Sequence, residues 1–166
     1  MKTAQPFQAE SYQLHSGRLR RLAPADAAIL GEKMAAMDPW LTLGYQAEGL
    51  VNYMQKVDSA LFRFVAEVGA NIAGVACVRY PWLKGALLEL FAVMPEFQNR
   101  GLGRELIQWV SKESGKVSPN LWSTVTSFNH DARAFYRRCG FAEITTLKDL
   151  VKPGYDEILI RRPIIK

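Results

Sequence analysis

The sequence predicts a mixed α/β domain, and three observations carry that prediction. Stretches with apolar residues at helical spacing alternate along the chain with short apolar runs of strand length. The 166 residues are 49% hydrophobic and 22% charged, a globular balance that excludes a disordered protein. No repeat or low-complexity tract breaks the order β-α-α-β-β-β-α-β-α-β-β. A chain of this length buries roughly two thirds of its unfolded surface and needs no covalent staples.

Residues 1–16 are polar and aperiodic and are expected to form a flexible N-terminal arm, leaving 17–166 as the folded domain. A strand over Arg18–Leu22 precedes a helix that opens at Pro24, where the missing N–H costs nothing and Asp26 suits the positive helix end. Ala27, Leu30, Met34 and Met37 mark its apolar stripe. Pro39 breaks it, and Leu50, Tyr53, Met54 and Val57 mark a second helix over Gln46–Lys56. Leu61–Val68 and Ile72–Tyr80 read as a hairpin about Gly69-Ala70-Asn71, with Gly74 signalling a bulge or close backbone approach. A strand over Ala86–Val93 leads to a helix from Gly101 to just before Gly115. "LWSTVTS" is a short strand, and the next helix is capped by Asn129 and ended by Gly140. Glu143–Leu147 and Glu157–Arg161 form a terminal pair about Lys152-Pro153-Gly154.

The net charge of +5 suits an anionic ligand, but basic residues cluster only at "RLRR" and "YRRC", without the long stripe of a nucleic-acid binder. Nucleic acid is therefore not an expected partner, and neither is a membrane, because no apolar run approaches the ~18–20 residues needed to span one. With two cysteines in no metal-binding pattern and no apolar leader at the start, the expectation is a metal-free cytoplasmic protein, monomeric or homodimeric.

The stretch "FAVMPEFQNRGLGREL" joins an apolar strand to an amphipathic helix through a glycine-rich, basic elbow. A helix start offers unpaired N–H groups and about half a positive charge, and glycines let an anion approach the main chain. Arg100 and Arg104 add full charges, so the elbow reads as a diphosphate cradle; a tight strand–helix turn explains the two glycines as well. The GxxxxGK[ST] nucleotide loop is absent, and GxGxxG lacks its third glycine.

The pattern Val93-x-Pro95-x-x-Gln98-x-x-Gly101-x-Gly103-x-x-Leu106 resembles the acyl-CoA-binding motif of the GNAT superfamily of N-acetyltransferases. Downstream, Asn129-x-x-Ala132-x-x-Phe135-Tyr136-x-x-Cys139-Gly140-Phe141 is similar to a second motif of that family, and the element order matches over nearly the whole chain. The resemblance implies a mostly antiparallel, twisted central sheet whose fourth and fifth strands splay apart. It implies acetyl-CoA as co-substrate, with N–H groups of Gln98, Asn99, Arg100, Gly101, Leu102 and Gly103, beside Arg104, at its pyrophosphate. Phe91 and Val93 would pair with the pantetheine arm, and Asn129 would contact it or simply cap a helix. Tyr136 would protonate the departing thiolate, in direct transfer to a small-molecule or peptide amine. A catalytically silent acyl-CoA-binding module of the same fold is the alternative.

Glu89 is the only acid in "GALLELFAV" and shares a face with Leu87, Phe91 and Val93 if the strand is regular. Some members of the family place a general base on this strand. An ion pair with a neighbouring cation, or deprotonation through ordered water, are the other readings. Trp40, Tyr45 and Tyr53 either line an acceptor pocket or pack the helix pair, and Trp82 is expected near its mouth. Cys139 reads as core and His130 as surface.

Overall fold

Most strands from Leu61 onward bury apolar residues that no single helix could cover, so the chain solves the problem with one long sheet between two helical layers. The computed structural model describes residues 5–164. Eight strands are present among them: β1 (Ser11–Gln13), β2 (Arg18–Arg21), β3 (Leu61–Val68), β4 (Asn71–Trp82), β5 (Gly85–Val93), β6 (Asn120–Thr126), β7 (Ala142–Lys152) and β8 (Tyr155–Pro163). Helices α1 (Pro24–Ala35), α2 (Trp40–Leu43), α3 (Ala47–Gln55), α4 (Leu102–Gly115) and α5 (His130–Arg138) flank the sheet. The order across it is β1-β2-β3-β4-β5-β6-β8-β7. Every neighbouring pair is antiparallel except β5 and β6.

That parallel pair is short. Its register ends at Leu88↔Ser123, after which the two strands diverge, as expected of the family's fourth and fifth strands, here one number higher. Ser123 Oγ donates to Leu88 O at 2.8 Å and pins the last paired position. The core divides accordingly. Leu102, Leu106, Val110, Leu121 and Ile160 pack with α4 and α5, while Leu30, Met34, Leu50, Val75 and Leu90 pack with α1 and α3.

Residues 5–16 differ from the expected loose arm. Phe7 is fully buried, with its ring 5.7 Å from that of Trp109, and its N–H donates to Glu113 Oε2 at 2.9 Å. Ser11–Gln13 then pairs with β2. The reason is nonlocal: an isolated polar segment has no pattern of its own, but an aromatic anchor and a sheet edge give it a place. Residues 1–4 lie outside the described residues. Val57, assigned to an apolar helix stripe, instead follows the end of α3 and is 96% exposed. The "RLRR" cluster is consumed internally, since Arg18 and Arg20 pair with Glu67, Arg20 also pairs with Asp26, and Arg21 lies over Phe64.

Gly74 meets its expectation. A Cβ there would sit 2.8 Å from Ala92 O, so the close approach of β4 to β5 requires glycine.

Candidate active site

The divergence of β5 and β6 opens a cleft that runs between the two helical layers. Along β5 the Met94 N–H donates to Ala73 O, so by alternation Phe91 and Val93 turn their main-chain groups away from β4 into the gap. Val93 O accepts a hydrogen bond from Gln98 Nε2 at 2.9 Å. Met94 ends the strand, and a 3-10 turn over Pro95–Phe97 carries the chain to the elbow.

The elbow curls through two left-handed residues, Asn99 (φ 58°) and Gly101 (φ 89°). The first helical bond of α4 runs from Glu105 N–H to Gly101 O, so the N–H groups of Leu102, Gly103 and Arg104 precede the helix ladder. Apart from its chain neighbours, no atom of the described residues lies within 4 Å of where a Gly101 Cβ would be. Gly103 differs: a Cβ there would meet the Phe135 ring at 3.1 Å, so this glycine serves the packing of α4 on α5. Gln98, Asn99, Gly101, Gly103 and Arg104 line a cleft of about 900 Å³ together with Phe91, Val93 and Asn129. Arg100 does not line it, its guanidinium lying 6.0 Å from the centre of the Phe97 ring, and the Leu102 side chain is buried in the core. The unpaired N–H groups, the open space at Gly101 and the free edge of β5 suit an extended ligand ending in a diphosphate.

Tyr136 stands at the far end of this cleft, in the wall it shares with a second chamber of about 310 Å³. Helix α5 places it there: Asn129 Oδ1 accepts from the Ala132 N–H at 3.2 Å, and Gly140 (φ 86°) ends the helix. Asn129 is thus a helix cap that also lines both chambers. The Tyr136 ring packs edge-on against Phe141 at 5.2 Å and is 6% exposed. Burial pushes the phenol up to about 12, against the Ser123 hydroxyl, which favours the ionised form, and with the nearby Glu157 raising it further. The phenol is therefore a proton donor at neutral pH.

Glu89 departs from the regular-strand geometry. Cys77 pairs with Leu90 and Val78 with Leu88, so Glu89 is the extra residue of a β-bulge. Across it the strand changes sides, with Leu88 packing in the α4–α5 layer and Leu90 in the α1–α3 layer. Glu89 therefore does not share a face with Phe91 and Val93. Its carboxylate accepts from Tyr53 Oη at 2.9 Å and from both Nε and Nη2 of Arg79, the latter at 3.1 Å. Arg79 also donates to Asp58 at 2.9 Å. The ion pair, one of the readings open for Glu89, is formed.

The second chamber takes one wall from the aromatic side chains Trp40, Tyr45 and Tyr53 and another from Thr124, Thr126 and Glu157 on β6 and β8. Trp40 and Tyr53 also pack against the α1–α3 core. Glu157 is 5% exposed, and burial raises its carboxyl despite the favourable hydroxyls of Thr126 and Thr124. It is absent from the sequence-predicted site, although "YDEILI" carries the same signal as Glu89, an acid entering an apolar strand. Trp82 lies elsewhere, packed edge-on against Trp122 at 5.7 Å where β5 and β6 are still paired. Cys139 is buried and its thiol is pushed up by burial, and His130 is exposed.

Residues 28–141 match the model of the Acetyltransferase (GNAT) family. The chain belongs to that family. A curated relative, an N-alpha-acetyltransferase of Sulfurisphaera tokodaii, is 24% identical over 99% of this chain and 100% of its own. An acetyltransferase structure from Thermus thermophilus superposes with a TM-score of 0.71 at 24% identity, covering 92% of this chain and 99% of that one. The ribosomal-protein-S18-alanine N-acetyltransferase of Escherichia coli gives 0.65 at 23% identity, covering 89% and 94%. These two structures share the GNAT fold. No helix among the described residues of the present chain is long and apolar enough to cross a membrane.

Proposed function

We propose that the protein is an N-acetyltransferase that moves an acetyl group from acetyl-CoA directly to a primary amine within a ternary complex. The observation that carries this reading is Tyr136, a buried neutral phenol in the wall common to the elbow-side cleft and the aromatic chamber. Acetyl-CoA would supply the activated thioester. The N–H groups from Asn99 to Gly103 would hold its pyrophosphate, with Arg104 beside them, the Gln98 N–H being donated to Pro95 O. The main chain of Phe91 and Val93 would pair with the pantetheine arm as a further strand, once the Gln98 amide leaves Val93 O. Asn129 would border the arm while capping α5. Tyr136 would give its proton to the departing thiolate. Glu89, held by Arg79 and Tyr53, would fix the wall of the acceptor chamber.

The name of the S. tokodaii relative makes the α-amine of a peptide the first acceptor to test. Thiol release from acetyl-CoA would be followed with peptides bearing a free N-terminus, blocked peptides with a free lysine, and spermidine. Release that requires one of these amines, with the acetyl group recovered on it, supports the reading. Acetyl-CoA binding without turnover on any amine would sink it in favour of a silent binding module.

A further inference from the structure

Three acidic features outside the elbow compete for a role. Glu113 is buried but occupied by the Phe7 N–H, Tyr12 and Lys116. Glu89 is engaged by Arg79 and Tyr53. Glu157 is as buried as Glu113, yet among the described residues it has no ion-pair partner, only threonine hydroxyls. It faces the chamber on the side of Tyr136 away from the elbow.

We infer that Glu157 receives the ammonium form of the acceptor and takes its proton. This rests on the transferase reading above. The geometry is set by β6 and β8. Thr126 pairs directly with Glu157 and Thr124 lies two residues along on the same side, so both hydroxyls border the carboxylate. From α5 the Tyr136 phenol faces it, and from the segment between α2 and α3 the Tyr45 phenol does; the Glu157 charge acts on both. On β7 the cross-strand neighbour is the apolar Leu147. No guanidinium or ammonium of the described chain neutralises the charge, so the site is complete only when a cation enters. Aromatic rings of Trp40, Tyr45 and Tyr53 in the same chamber suit that cation.

The protons balance. Glu157 accepts one proton from the ammonium, freeing the nitrogen lone pair. That pair forms the C–N bond as the C–S bond breaks, and the thiolate takes the Tyr136 proton. The second nitrogen proton restores the phenol, and Glu157 releases its proton to solvent, one per turnover.

Burial also makes Glu157 costly to the fold. Its carboxyl is raised in the folded chain, so the folded state binds more protons than the unfolded one, and stability falls as pH rises through that range. A residue kept for structure would behave oppositely on neutralisation. The test uses the full chain with acetyl-CoA and a free-amino peptide. Glu157→Gln should lower kcat/KM by about tenfold at neutral pH, where only about a tenth of a peptide α-amine is already deprotonated. The deficit should shrink toward alkaline pH, as the peptide α-amine, of pKa about 8, loses its proton unaided. CoA affinity should be unchanged and the melting temperature equal or higher, while Glu157→Asp should recover part of the rate. A deficit independent of pH, or a variant that melts well below wild type, would overturn the assignment while leaving the transferase reading intact. A wild-type chain that acetylates no amine overturns both.

Discussion

The two chambers that meet at Tyr136 are made of different material. The elbow side offers main-chain groups to its cleft: the free edge of β5 and the N–H groups that open α4. The other side offers side chains, with three aromatics and a buried carboxylate on separate elements. A main-chain site depends on backbone geometry and leaves a compact signature of glycines and a proline. A side-chain site depends on what the fold brings together. The first suits a ligand common to a whole family, and the second can be rebuilt for each acceptor.

Tyr136→Phe is the most severe way to break the link between them. It removes the proton donor and keeps the ring against Phe141 and Phe91. Turnover should fall by about 10²–10⁴-fold with CoA affinity little changed, measured by initial rates and calorimetry. Because burial holds the phenol near 12, wild-type activity should show no loss from its ionisation until pH approaches that value. Unchanged turnover would remove Tyr136 from the chemistry.

The two elbow glycines sharpen the comparison, because they are alike in sequence and unlike in space. Gly101→Val forces a β-branched residue to φ 89°, which costs about 1–3 kcal/mol, and points a side chain into the open cleft. CoA binding should weaken at least tenfold, and wild-type affinity would refute the cradle. Gly103→Ala should act instead through Phe135, lowering the melting temperature more than its added methyl would suggest.

Glu89→Gln tests the acceptor side. It leaves Arg79 without part of its bidentate partner and should destabilise by about 1–3 kcal/mol in denaturant titration. The contrast with Glu157→Gln is the informative result: one carboxylate holds the chamber and the other works in it. A drop in turnover without a drop in stability at Glu89 would return the proton-accepting role to it.

The same division explains what could be read from the sequence. Helices α1, α3, α4 and α5, the elbow and the cap at Asn129 rest on local signals: periodicity, Pro95, Gly101 and Gly140, whereas the splayed pair is implied by the family resemblance and α2 falls where the sequence reads as a break. Segments whose structure depends on distant partners gave no such signal. Phe7 is buried by Trp109 and Phe62, about a hundred and about fifty residues away, and Ser11–Gln13 is a strand only because β2 is beside it. β7 is exposed along almost its whole length, so no alternation marks its true extent beyond Leu147. The bulge at Glu89 reverses a side-chain direction that strict alternation predicts, and nothing in "LLELF" announces it.

Asn129 carries the smallest expected effect and lies on the boundary between the two kinds of site. Its side-chain oxygen is engaged by the Ala132 N–H, so its contribution to the fold is that of an N-cap, about 1 kcal/mol. It also borders both chambers, where a contact with the pantetheine arm would add to binding. Asn129→Asp separates the two, because aspartate caps a helix as well as asparagine does but offers no amide N–H to a ligand carbonyl. Stability should stay at the wild-type level while CoA affinity falls several-fold. If both stay put, Asn129 is a cap alone, and Tyr136 is positioned by the helix start rather than by anything the ligand touches there.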